Sequence, residues 1–144
     1  MVSKYCYRQY RASCMVSAFL VLLAPLSSVA AHSSASVACA SVTLNDQQAE
    51  AVCTVPATSV AKVVRFKAHF LGSHDDSTVS LQSTELNGLA VTCRAGSKTT
   101  SRFEDGEVTL DCLFITVAGS SSQQVKVKIA LHHLQLDRTE LVLD

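Results

Sequence analysis

The run "VKVKIALHHLQLD", Val125 to Asp137, carries two adjacent histidines, His132 and His133, where its apolar alternation stops. Imidazole nitrogen ligates zinc and copper, so such a pair could supply half of a metal site. "SHDDS" sets His74 beside Asp75 and Asp76, again potential ligands. Adjacent acids next to a Gly are commonplace in turns, where Asp bonds its own backbone, and a turn is the expectation here. "FEDGE" holds Glu104, Asp105 and Glu107 around a Gly without the ligand spacing of an EF-hand, and reads as a hairpin turn. The chain has no G-x-S-x-G, and nothing singles out a Ser–His–Asp set. It has no C-x-x-C pair, so neither a thioredoxin-like nor a zinc-ribbon reading has support. The expectation is a non-enzymatic protein.

Compartment decides how the remaining groups are read. "MVSKYCYRQYRAS" carries Lys4, Arg8 and Arg11 and no acid; the apolar run Cys14–Leu26 follows, then the small residues "SSVAAHSS". Basic, apolar, then small is the order of a secretory signal peptide. The apolar run falls short of the ~20 residues that a spanning helix needs, so no transmembrane segment is expected in the mature chain. Residues 1–31 are assigned to the signal, with cleavage after Ala30 or Ala31, and 32–144 to a single domain. The mature chain then holds nine bases against twelve acids, a net charge of −3. Without a basic cluster it has no footprint for nucleic acid, whose affinity rests on neutralised phosphates.

Export also changes the cysteines. Cys6 and Cys14 leave with the signal, and Cys39, Cys53, Cys93 and Cys112 remain. An even number in an exported chain predicts two disulfides. If "LNDQ" turns a hairpin centred on Asp46, residues whose numbers sum to 92 face each other, and Cys39 and Cys53 satisfy that sum. Cross-strand Cβ atoms lie about 4.5–5.5 Å apart, close to what a disulfide wants. Cys93 and Cys112 then pair by elimination.

The elements that must position these groups are strands. "VVRFKAHF" puts Val64, Phe66, Ala68 and Phe70 on one face and Arg65, Lys67 and His69 on the other. "TVSLQS", "GLAVTCR", "GEVTLDCLF" and "QVKVKIAL" repeat the period of two, the second of them placing Leu89, Val91 and Cys93 together. Pieces rich in Gly, Asn, Asp and Ser separate them: "LND", "GSHDDS", "NG", "AGS", "EDG" and "AGSSSQ". Short strands with this punctuation predict one all-β, antiparallel β-sandwich, Ig-like in general architecture.

A regular strand answers the opening question in the negative. Successive side chains point to opposite faces. His133 would continue the buried Val125–Leu131 face and His132 the Lys126–Lys128 face, so the two could not share an ion. A bulge would be the exception. Leu134 and Leu136 share a parity that Leu141 and Leu143 do not, which places a bulge or turn within "DRTE". No metal is therefore expected, with one alternative. Cleavage after Ala31 would expose the α-amine and imidazole of His32 together, a chelate suited to Cu(II), which His69, His132 or His133 could complete. The leading expectation is a secreted or periplasmic module that binds a protein or cell-envelope partner. A copper carrier and a small inhibitor of an exported enzyme are the alternatives.

Overall fold

The computed structural model describes residues 34–72, 74–103 and 108–143, all within the compact unit His32–Asp144. The signal segment, His32 and residues 104–107 of the turn expected at "FEDGE" lie outside the described residues. Among the described residues, ten strands form two antiparallel sheets: β1 (Ala35–Ala38), β2 (Ala40–Asn45), β3 (Gln48–Val55), β4 (Val63–Gly72), β5 (Thr78–Leu86), β6 (Leu89–Val91), β7 (Thr100–Arg102), β8 (Val108–Ile115), β9 (Gln123–His132) and β10 (Leu134–Leu143). One sheet runs β1-β10-β4-β8. The other runs β2-β3-β9-β5-β6, with β7 also on β5. The expected all-β sandwich is the observed fold.

The core lies between the sheets and follows the predicted alternation. β4 buries Val64, Phe66, Ala68 and Phe70; β8 buries Val108, Leu110, Cys112 and Phe114; β9 buries Val125, Val127, Ile129 and Leu131. Fully burying such a side chain contributes roughly 1.5–3 kcal/mol, so these three strands dominate the apolar contribution to stability. The opposite faces carry the charges. Arg65 meets Asp111 at 2.7 Å across β4 and β8, and Lys126 meets Glu50 at 3.5 Å across β9 and β3. Leu89, expected to face inward with Val91, is instead 73% exposed. It follows the Asn87-Gly88 turn, where both residues have positive φ (51° and 79°), on an edge strand with few neighbours to cover it.

At two points a single residue carries the chain directly from one sheet into the other. β1 pairs with β10 and β2 with β3, so the chain changes sheet at Cys39, whose N–H donates to Thr139 O at 3.1 Å. β9 pairs with β3 and β5, whereas β10 pairs with β4, so the other single-residue change of sheet falls at His133. Strands that switch sheets do so through bends or bulges.

Both disulfides staple this arrangement. Cys39–Cys53 joins the first crossing to β3, with Cα atoms 4.3 Å apart. The β2–β3 register from Ala40↔Val52 to Thr43↔Ala49 keeps the sum of 92 used to align these cysteines. The turn itself differs: it falls at Asp46–Gln47, and a bulge at Leu44 takes up the extra residue. Cys93–Cys112 links the segment after β6 to β8 in the facing sheet, Cα atoms 5.1 Å apart, above the buried Thr84.

Candidate functional site

His133 overturns the regular-strand premise. Its φ is +54°, in the left-handed region that ordinary residues avoid. The next residue, Leu134, is buried at 5%, so the inward position passes from odd to even numbers at this point. His133 therefore does not continue the buried face. Its side chain is 52% exposed, about as much as that of His132 at 53%. The physical reason is the change of sheet: a chain leaving one sheet for the other must rotate its backbone, and His133 absorbs that rotation. A second shift, between Leu136 and Arg138, places a further bulge at Asp137 within the anticipated "DRTE".

The rotation brings together what a regular strand would separate. The rings of His132 and His133 lie 4.0 Å apart, centroid to centroid, inclined by 31°. Asp76 faces both. His133 Nδ1 donates to Asp76 Oδ1 at 3.1 Å, and His132 Nε2 lies 3.7 Å from Asp76 Oδ2. The His74 ring stands 5.4 Å from that of His133. The hydrogen bond from His133 holds the Asp76 carboxyl below its usual range; desolvation opposes it, and the charges of His133 and then His132 add to the lowering.

Residues outside the cluster fix its geometry. Asp75 and Asp76 occupy the expected turn, closed by Ser77 N–H donating to His74 O at 3.0 Å. The fully buried Ser77 hydroxyl then donates to His133 O at 2.9 Å, tying this turn to the β9–β10 kink. Ser77 thus serves a backbone carbonyl and not an imidazole nitrogen, so it is not the nucleophile of a Ser–His pair. Gly72 sits under the same kink, where a Cβ would overlap Leu134 Cδ2 and come into ordinary contact with His133 O and Ser77 Oγ.

Among the described residues, one group of three possible ligands converges: Asp76, His132 and His133, with donor atoms within 4.8 Å of one another. Only the two histidines of this group belong to the copper set expected from sequence. His69 stands on β4 opposite Arg138, whose guanidinium donates to its Nδ1 at 3.3 Å. His32 lies outside the described residues. The sequence offers Asp76 as a potential ligand within a turn but gives no sign that it meets His132 and His133; the parity change between Leu131 and Leu134 is the signal of the kink at His133.

The cluster occupies one end of the sandwich, with the β2–β3 turn, the β4–β5 connection and the β9–β10 kink. Two shallow hollows flank it. One is lined by Asn45, Asp46, His74, His133 and Gln135, the other by Ser80, Lys98, Arg102 and His132.

No family model matches the chain, and no curated protein is significantly similar to it. Solved structures overlap it in part. A family 35 carbohydrate binding module from an environmental isolate has 12% identity over 72% of this chain and 70% of its own, at a TM-score of 0.41. The C-terminal family 6 module of LamC, a marine laminarinase from Zobellia galactanivorans, has 9% identity over 75% of this chain and 99% of its own, at 0.42. A family 35 module from Clostridium thermocellum has 8% identity over 75% and 90%, at 0.41. Overlaps of this depth bear on neither the family nor the function of this chain.

Proposed function

We propose that the chain is an exported, non-enzymatic binding module that meets a protein or cell-envelope partner with the end of the sandwich carrying His74, Asp76, His132 and His133. The observation that carries this reading is the meeting of three connections at that end, with exposed hydrogen-bonding and ionisable groups on a core tied by two disulfides. Binding residues concentrate on connections that a rigid scaffold positions. The opposite end, around the Thr58–Gly119 bridge, offers Ser59 and Ser120 and no described cluster of ionisable groups. Two disulfides also support an oxidising compartment. Sugar recognition by stacking has little to use here: the chain has no Trp, and its Tyr residues all precede residue 11.

The test is chemical cross-linking of the secreted protein in its own envelope fraction, comparing wild type with Gln135→Arg in the candidate rim and Ser120→Arg at the other end. Loss of the cross-linked species in the first variant alone supports the reading. Equal capture by both variants assigns the contact to another surface. N-terminal sequencing of the same material should begin at Ala31 or His32; retained Met1 would remove the export on which the reading depends.

A further inference from the structure

We infer that Asp76, His132 and His133 form a site for a borderline divalent transition-metal ion, zinc above all.

The distances support this. Bonds of about 2.0–2.1 Å in tetrahedral geometry set neighbouring ligand atoms about 3.3–3.4 Å apart. Asp76 Oδ1 lies 3.1 Å from His133 Nδ1 and Asp76 Oδ2 lies 3.7 Å from His132 Nε2, so each imidazole nitrogen stands near that spacing from one oxygen of the same carboxylate. The whole donor set already lies within 4.8 Å, and the exposed side chains need only close on the ion from there. Two imidazole nitrogens and one carboxylate oxygen suit zinc; calcium and magnesium prefer oxygen alone. All three side chains are more than half exposed, so water or a partner's group can complete the coordination.

The site is also built from beneath. Adjacent histidines reach the same ion only because His133 takes a positive φ. That conformation is held by the buried Ser77 hydroxyl on His133 O and by the space that Gly72 leaves for Leu134. Ser77 closes the turn that carries Asp76 as well, so one buried residue fixes both halves of the donor set. Strain located at a cluster of possible ligands motivates a functional reading of it.

The site shares the rim proposed for partner binding but needs no macromolecule. Zinc titration and partner capture therefore fail or succeed independently. Zinc(II) alone is titrated calorimetrically into the full chain with both disulfides formed, and cobalt(II) absorption reports the coordination geometry. The panel is wild type, Asp76→Ala, His132→Ala, His133→Asn, His69→Ala and a chain carrying an extra residue ahead of His32. Asn tolerates the left-handed region, so His133→Asn removes the ring without disturbing the kink. The expected result is one ion per chain, weakened at least ~10-fold in each of the first three variants and unchanged in the last two; even outer partners of a metal site cost 10–100-fold. Absence of binding to wild type overturns the site. So does binding that survives His132→Ala and His133→Asn, or that is lost when residues ahead of His32 are added.

Discussion

Glycine at position 133 should stabilise the fold relative to alanine, whereas at position 132 it should destabilise it. His133 holds φ +54° and His132 is an ordinary residue of β9 paired with Thr78. The left-handed conformation costs a residue with a Cβ about 1–2 kcal/mol. Glycine escapes that cost but loses about 0.5–1 kcal/mol more conformational entropy on folding. At 133 the first effect wins, and His133→Gly should exceed His133→Ala in stability by roughly 0.5–1 kcal/mol. At 132 only the second operates, and His132→Gly should fall below His132→Ala by a similar amount, about 0.5–1 kcal/mol. Comparing alanine with glycine at each site cancels the loss of the imidazole and of its contact with Asp76. The difference between the two comparisons, about 1–2 kcal/mol, isolates the left-handed cost itself. Urea unfolding with both disulfides intact is the assay. For an m-value near 2 kcal/mol/M, the midpoints at 133 should differ by about 0.3–0.5 M, with glycine higher. Glycine falling below alanine at 133, by as much as at 132, would refute a left-handed residue there and with it the convergence of the two rings.

Gly72→Ala should destabilise by about 1–3 kcal/mol, the usual cost of overpacking, because its methyl meets the buried Leu134 Cδ2; thermal unfolding checks this. Removing the Cys93–Cys112 bridge by a double Ser substitution should cost about 3 kcal/mol in the chain-entropy model for a separation of 19 residues, read by urea unfolding. Carboxyl NMR should place the Asp76 midpoint below the free-chain value of 3.8 and move it upward in His133→Ala. The sign follows from the lowered folded-state pKa: what Asp76 contributes is present above the unfolded value and is lost on acidification through the folded one. Asp76→Asn should therefore flatten the acid limb of the stability profile.

Composition and alternation determined the class of this protein. Val64 to Phe70, Val108 to Phe114 and Val125 to Leu131 each place one apolar side chain in two toward a common face, and all of these are buried. A period of two leaves a strand few other arrangements. The cysteine pairing was legible for the same reason, since the outer register of one hairpin aligns Cys39 with Cys53. The site was not legible. His132 and His133 adjoin in sequence, and local geometry alone would send them apart. Asp76 lies 57 residues before His133. Their meeting requires the chain to cross between sheets at His133, and that crossing follows from β10 pairing with β4 and not with β9's neighbours. Which strands pair is settled by the packing of the whole sandwich, so no single stretch of residues encodes it.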